Sequence, residues 1–260
     1  MKKRPALLYV LPNLFTVSSI FCGIYAVIQA TDGMAADRFY KAAVAIIFAI
    51  LFDSADGRVA RMTKTQSDIG VQLDSLADVI SFGVAPAILI YKWSLFQFGI
   101  LGLFVAVAYA TCGAIRLARF NVRATTENGS AKHFLGMPIP LAAANLAALV
   151  LVHFRAGGVQ LGYQPLIIVV MLLLSALMVS NVRYRTFKAI KAKQTALVVA
   201  GLAVLVLVAL VKTGFSFMFL ALVAAMSAFG PAEELFHFVR RRLPSGRSGQ
   251  EEEVNEEESV

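Results

Sequence analysis

The chain has 260 residues, of which 58% are hydrophobic, and its mean hydropathy is +0.73. A soluble domain does not carry so many apolar runs of about 17 or more residues, so the composition indicates a polytopic helical membrane protein. The net charge of +8 favours contact with anionic lipid headgroups over contact with nucleic acid. The two cysteines, Cys22 and Cys112, lie in apolar segments and indicate neither a disulfide framework nor a zinc site.

Apolar segments follow one another from the N-terminus almost to the C-terminus. They predict an all-α bundle of about eight transmembrane helices, formed by residues 1–239 as one domain. Residues 240–260 contain six glutamates and are predicted to be a charged, disordered cytoplasmic tail. The predicted spans are 7–30, 40–61, 71–91, 95–118, 140–153, 165–182, 195–211 and 215–239.

The distribution of lysine and arginine predicts the orientation of these spans. With the N-terminus in the cytoplasm, most of the 24 basic residues fall in cytoplasmic segments, and only Arg38, Lys41, Lys92, Arg155 and Lys212 fall on the other side. This bias favours an even number of spans with both termini cytoplasmic. We therefore expect a multi-pass protein of the cytoplasmic membrane.

Four aspartates lie inside or beside the second and third predicted spans. Asp53 and Asp56 are three residues apart, and Asp74 and Asp78 are four apart, so each pair shares one helix face. Intramembrane acids are costly unless they are paired, hydrated or bound to metal. If two antiparallel helices bring the faces together, the carboxylates repel one another without a cation between them, and oxygen ligands suit Mg²⁺ or Mn²⁺.

The full pattern of this stretch is D-x2-D-G-x2-A-R-x8-G-x3-D-x3-D. Its fixed positions are Asp53, Asp56, Gly57, Ala60, Arg61, Gly70, Asp74 and Asp78. The pattern resembles the signature of the CDP-alcohol phosphotransferases, membrane enzymes that move a phosphatidyl group from CDP-diacylglycerol to an alcohol. The alternative is that these acids only cap helices or pair with Arg58 and Arg61.

The resemblance implies a role for each of these positions. Asp53, Asp56 and Asp74 would bind two divalent ions, and Asp78 would be the general base with a share in metal binding. The nucleotide and its phosphates would lie against Gly57, Ala60, Arg61 and Gly70. The start of the first span, P-N-x-x-T, is similar to the family's first-helix pattern and adds Asn13 and Thr16 to that site. Without a ligand role, Asn13 and Thr16 would make backbone or interhelical hydrogen bonds.

Three further blocks are similar to the serine-using branch of the family. They are R-L-A-R-F-N at 116–121, G-x-P-x-P at 136–140 and V-S-N-V-R-Y at 179–184. Arg116 and Arg119 share a helix face at the predicted cytoplasmic boundary, and Arg123 follows one turn later. Guanidinium groups bind carboxylate or phosphate bidentately, so these arginines are candidates for binding serine or the lipid phosphate. The alternative is that they are snorkelling residues at the membrane surface.

The resemblance implies transfer of the phosphatidyl group to L-serine by a homodimer. The predicted topology places the aspartates, and with them the active site, near the cytoplasmic leaflet. Glycerol 3-phosphate or inositol phosphate would suit the arginines as alternative acceptors. A divalent-cation transporter is the competing class, because intramembrane acids also mark ion pathways. The acids, however, cluster near one face, the other spans lack acids that would complete a path, and no inverted repeat is visible.

Overall fold

The computed structural model describes residues 7–33, 35–63, 68–126, 133–157, 164–185 and 219–228, with positions 216 and 231. The architecture is a bundle of apolar helices, with one small two-stranded ribbon. The helices are α1 (Leu7–Thr31), α2 (Ala36–Thr63), α3 (Asp68–Asp78), α4 (Ala85–Trp93), α5 (Ile100–Thr126), α6 (Ile139–Arg155), α7 (Gln164–Val179) and α8 (Phe219–Ala228).

Helix α2 packs chiefly against α1 and also contacts α6. Small side chains line these contacts and are fully buried, among them Ala26, Ala42, Ala49 and Ala147. Helices in a bilayer gain little from hiding apolar surface from water, so they associate by close backbone packing between small residues. Large apolar side chains of α1, such as Phe21, point outward instead. The packing holds α1 and α2 closely together beside the aspartates.

The turn between α1 and α2 is held by exposed ion pairs. Arg38 pairs with Asp32 across the turn, and Lys41 donates to Asp37 within the first turns of α2 at 2.8 Å. The hydrogen bond from Lys41 holds the pKa of the Asp37 carboxyl below its ordinary value. These contacts lie at the end of α2 opposite to Asp53 and Asp56.

The third predicted span is helical throughout but irregular in its middle. A π-helical segment, Val79–Val84, separates α3 from α4, and Pro86 lies in the first turn of α4. In a regular α-helix the carbonyl of Phe82 would accept a hydrogen bond from residue 86, which proline cannot donate. The buried hydroxyl of Tyr109 on α5 donates to this carbonyl at 3.2 Å. A proline inside a membrane span predicts a kink, and the structure shows a π-helical turn that begins immediately after Asp78 and ends just before Pro86.

The fourth span begins later than predicted. The prediction placed its start at residue 95, but residues Leu95–Phe98 form a 3-10 turn and α5 begins at Ile100. Gly99 separates the two with a φ of 55°, a conformation that glycine adopts without steric penalty. Gly102 packs so closely on the backbone of Leu95 that a Cβ would lie 2.1 Å from its carbonyl oxygen. The chain therefore reverses tightly before it enters α5.

Helices α6 and α7 match the fifth and sixth predicted spans, except at the end of α7. The prediction extended the sixth span to residue 182, whereas α7 ends at Val179. The chain then forms β2 (Arg183–Arg185), which pairs antiparallel with β1 (His133–Leu135). The prediction of an all-α fold did not include this ribbon, because three residues are too few to show an alternating pattern.

Among the described residues, three helical segments are long and apolar enough to cross a membrane. They are Asn13–Thr31, Ile69–Trp93 and Ile100–Arg123, and shorter apolar helices occur at Ile139–Arg155, Gln164–Val179 and Phe219–Ala228. The structure therefore supports a membrane helical bundle. The seventh predicted span, 195–211, and the tail, 240–260, lie outside the described residues. The number of spans and the side on which the termini lie stay predictions.

Candidate active site

The aspartates of α2 and α3 come together as their spacing predicted. One carboxylate oxygen from each of Asp53, Asp56 and Asp74 lies within 4.8 Å of the other two. Asp56 is buried with 4% of its surface exposed, and Asp53 and Asp74 are partly buried. Three carboxylates at this separation repel one another strongly where water is scarce. The cluster is therefore a ready site for a cation.

Asp78 lies at the edge of this cluster, one turn beyond Asp74. Its carboxyl group is close enough to that of Asp53 to interact with it electrostatically. One oxygen of Asp78 and one of Asp74, Oδ1 in each case, are buried and have no hydrogen-bond partner among the described residues. A buried acceptor without a partner is destabilising, so these atoms are expected to face a ligand.

The ligand atoms that these acids offer are suited to a divalent metal ion. All the candidate ligand atoms are carboxylate oxygens, which Mg²⁺ and Mn²⁺ prefer. The unpartnered oxygen of Asp74 also supports a metal site, because coordination of a metal ion would satisfy this buried oxygen.

Thr16 of α1 contacts the cluster directly. Its hydroxyl donates a buried hydrogen bond of 2.9 Å to Oδ2 of Asp56 and so fixes the orientation of that carboxylate. Asn13, one turn earlier on α1, is exposed. Among the candidates for the nucleotide site, Gly57 and Gly70 are partly buried on α2 and α3.

Two other candidates for the nucleotide site, Ala60 and Arg61, belong to the last turns of α2. Their side chains lie outside the described part of the structure. Their predicted contact with the nucleotide phosphates therefore stays a prediction.

A cavity of about 250 Å³ opens beside Asp74 and Asp78. Its polar lining also includes Ser75 of α3 and Arg116 and Asn121 of α5. Apolar residues complete the walls, namely Val71, Leu117, Phe120, Pro138 and Pro140. The cavity thus joins the first two blocks of the predicted acceptor side, 116–121 and 136–140, to the aspartates.

Arg116 is the cation of this cavity among the described lining residues. It is 9% exposed, and its Nε has no hydrogen-bond partner among the described residues. It is close enough to Asp78 to interact electrostatically. A buried guanidinium with an unused donor is suited to bind an anion, such as a carboxylate.

Arg119 and Arg123 are placed differently from Arg116. The guanidinium of Arg119 donates to the carbonyl of Val179 at 2.5 Å and to Oδ1 of Asn181 at 2.8 Å. Arg123 is partly buried near the end of α5. Neither residue lines the cavity. The structure therefore separates three arginines that the sequence analysis treated as one group.

One polar contact of the cavity was not foreseen. Asn121 donates to the hydroxyl of Ser75 at 2.8 Å and so links α5 to α3 beside the aspartates. Asn121 was part of the block 116–121, but its partner was not recognisable. Ser75 is one residue from Asp74, and serine next to a motif residue carries no signal of its own.

A cluster of aspartates on apolar helices beside a buried arginine fits a transferase that acts on the phosphate of a lipid. The chain belongs to the CDP-alcohol phosphatidyltransferase family, whose model matches residues 9–172. This match covers α1 to the middle of α7 and includes every aspartate of the cluster. The family predicted from the sequence is thereby confirmed.

Similar proteins include enzymes named CDP-diacylglycerol–serine O-phosphatidyltransferase. The one from Helicobacter pylori is 42% identical over 188 residues, which are 71% of this chain and 75% of that protein. The one from Bacillus subtilis is 32% identical over 179 residues, 68% of this chain and 91% of that protein. An archaetidylserine synthase from Methanothermobacter thermautotrophicus is 38% identical over 178 residues, 67% of this chain and 69% of that protein.

Proposed function

We propose that this chain transfers the phosphatidyl group of CDP-diacylglycerol to the hydroxyl of L-serine and releases CMP. The observation that carries the proposal is that Asp78 and Arg116 line one cavity. A serine molecule in this cavity would meet a carboxylate that can accept its hydroxyl proton and a guanidinium that can bind its carboxylate. The similar bacterial enzymes are named for this reaction, and the archaeal relative is named for a serine product as well.

In this reaction the serine oxygen forms a new bond to the phosphorus that carries the diacylglycerol. The phosphoanhydride bond to CMP breaks, and CMP leaves with the bonding electron pair. Asp78 accepts the hydroxyl proton as the new bond forms, which is general-base catalysis by a positioned carboxylate. Arg116 holds the serine carboxylate, so that the hydroxyl points toward Asp78. No covalent intermediate with the enzyme is required.

Asp53, Asp56 and Asp74 would hold Mg²⁺ or Mn²⁺, with Asp78 at the edge of the set. Divalent ions bound there would neutralise charge on the lipid pyrophosphate as the phosphoanhydride bond breaks. Thr16 supports this role because it fixes the Asp56 carboxylate through a buried hydrogen bond. The resemblance to the family implies two such ions.

The nucleotide would lie on the α1 side of the aspartates, away from the acceptor cavity. Gly57, Ala60 and Gly70 carry little or no side chain and allow the nucleotide to approach the backbone of α2 and α3. Asn13 and Arg61 would contact its phosphates. This arrangement places the phosphoanhydride between the nucleotide site and the serine cavity.

The charges of the cavity favour serine over the two alternative acceptors. A phosphomonoester carries nearly two negative charges at neutral pH and is best held by more than one cation. Among the described lining residues Arg116 is the one cation, and it faces Asp74 and Asp78. The carboxylate of Asp78 attracts the ammonium group of serine, which glycerol 3-phosphate and inositol phosphate lack.

The reaction also fits the predicted position of the protein in the membrane. CDP-diacylglycerol is anchored by its acyl chains, and serine and CMP enter and leave through water. We propose that the site lies near the cytoplasmic leaflet of the cell membrane. Residues 1–239 would form one transmembrane domain, and two copies of the chain would form a homodimer. The positive-inside bias of the sequence supports this orientation.

The test is a comparison of acceptors with the purified protein in detergent. CDP-diacylglycerol and Mg²⁺ are supplied with serine, glycerol 3-phosphate or inositol phosphate, and CMP and the lipid product are measured. We expect CMP and an amino-containing phospholipid with serine, and little CMP with the other two acceptors. Transfer to glycerol 3-phosphate or inositol phosphate in preference to serine would refute the proposal.

A further inference from the structure

The guanidinium of Arg119 connects two blocks of the chain that are sixty residues apart. It donates to the backbone carbonyl of Val179 and to the side-chain oxygen of Asn181. Val179 is the last residue of α7, and Asn181 lies in the segment that leads from α7 to β2. Block 116–121 therefore binds block 179–184 directly.

The guanidinium of Arg119 lies at the C-terminal end of α7, where a cation stabilises a helix. The last carbonyls of a helix have no partner within the helix and carry partial negative charge. Arg119 satisfies the carbonyl of Val179, and Ser180 donates to the carbonyl of Leu177 at 2.8 Å. These contacts fix both the point at which α7 ends and the direction in which the chain leaves it.

The same segment supports one wall of the acceptor cavity. The backbone N–H of Gly136 donates to the carbonyl of Val182 at 2.9 Å, and that of Met137 donates to the carbonyl of Leu177 at 3.0 Å. Gly136 has a φ of 78°, and a Cβ there would lie 2.3 Å from the carbonyl oxygen of Met178. Pro138 and Pro140, which line the cavity, follow directly.

We propose that Arg119 is a positioning residue for the acceptor cavity and does not bind the acceptor itself. Its guanidinium fixes the segment from Val179 to Val182, which holds Gly136 and Met137 and thereby the part of the cavity wall that Pro138 and Pro140 form. The cavity keeps its width because this chain of contacts is intact. The inference rests on the proposed function, since the molecule held in the cavity is taken to be serine.

The test is a double-mutant cycle on the two ends of the contact. Arg119→Gln and Asn181→Ala are made singly and together, and KM for serine, KM for CDP-diacylglycerol and kcat are measured. We expect each single variant to raise KM for serine by about 10-fold, the lower end of the effect of losing a charge-assisted hydrogen bond. The double variant should lie within about 2-fold of Arg119→Gln, because Arg119→Gln already removes the contact that Asn181→Ala breaks.

A direct role of Arg119 gives a different pattern. If its guanidinium binds serine, Arg119→Gln raises KM for serine while Asn181→Ala leaves it near the wild-type value, and the positioning role is refuted. A lowered thermal stability of both variants with an unchanged KM for serine also refutes it, because the contact would then support only the fold. Asn181 is exposed, so its truncation leaves no cavity in the core.

The matched control is Arg38→Gln, which removes an exposed ion pair with Asp32 at the distant α1–α2 turn. It should leave KM for serine unchanged. The choice of acceptor by the wild-type protein tests the proposed function separately. If the wild type uses glycerol 3-phosphate instead of serine, the proposed function fails, and the same cycle measured with that acceptor still decides the role of Arg119.

Discussion

The two sides of the active-site cavity differ in how their polar groups are used. On the α2–α3 side, three carboxylates converge, and one oxygen each of Asp74 and Asp78 lacks a partner among the described residues. On the α5 side, Arg116 keeps an unpartnered Nε, whereas Arg119 is bound to the end of α7. Groups left unsatisfied in a buried place are expected to meet a ligand, and satisfied groups are expected to hold the structure. The difference thus separates binding residues from supporting ones.

The largest effect is expected from removing the metal on which the carboxylate side depends. A strong chelator should abolish CMP release, and added Mg²⁺ or Mn²⁺ should restore it, because repulsion among the acids is otherwise uncompensated. The measurement is CMP release with serine and CDP-diacylglycerol before and after the ions are returned. Full turnover in the chelator, with no metal in the purified protein by elemental analysis, would contradict this account of the acids.

Asp78 should act differently from the acids that we propose as metal ligands. We expect Asp78→Asn to lower kcat by about 100-fold or more, the contribution of a general base, while CDP-diacylglycerol still binds. Asp53→Asn and Asp74→Asn should weaken metal binding as well as catalysis, as measured by calorimetric titration with Mn²⁺. Asp68→Asn is the control, since Asp68 lies outside the motif. If it is as damaging as Asp78→Asn, the assignment of roles is wrong.

Arg116→Lys tests the binding residue of the α5 side. Lysine keeps the charge but loses the planar, bidentate geometry, so KM for serine should rise by roughly 10- to 100-fold. KM for CDP-diacylglycerol should change much less. Arg119→Lys is the matched comparison and should have the smaller effect, because an ammonium keeps one of the two contacts. An equal rise in both Michaelis constants with Arg116→Lys would assign Arg116 to the lipid phosphate.

The smallest effect is expected at Tyr109, which supports the π-helical turn after Asp78. Tyr109→Phe removes the hydrogen bond to the carbonyl of Phe82 and should lower the free energy of unfolding by about 1 kcal/mol. Thermal inactivation in detergent measures this change. KM for serine should stay constant, because Tyr109 does not line the cavity. A large rise in KM without loss of stability would instead make Tyr109 part of the acceptor site.

The α2–α3 side was predictable from the sequence because its geometry is local. Spacings of three and four residues place Asp53 with Asp56 and Asp74 with Asp78, and a short connection brings the two helices together. The apolar segments likewise predicted α1, α6 and most of α7. Pro86 marked the irregularity of the third span, but the form it takes depends on a hydroxyl from α5.

The α5 side was only partly predictable because its contacts join distant segments. The spacing of Arg116 and Arg119 predicted a shared face, but the end of α7 decides that one of them is bound to Val179 and Asn181. That end follows from the turn at Ser180 and the ribbon of β1 and β2, whose strands are too short to be visible in the sequence. The three sequence blocks were recognisable, but the contact between block 116–121 and block 179–184 was not.

The central claim is that the hydroxyl oxygen of serine attacks the phosphatidyl phosphorus. It is tested most directly with L-serine carrying ¹⁸O in its hydroxyl group, supplied to the purified protein with CDP-diacylglycerol, followed by mass spectrometry of both products. Attack by the serine hydroxyl should give one ¹⁸O atom in each molecule of lipid product, none in CMP, and equal amounts of the two products. Release of CMP without serine in the lipid, or ¹⁸O in CMP, would contradict it.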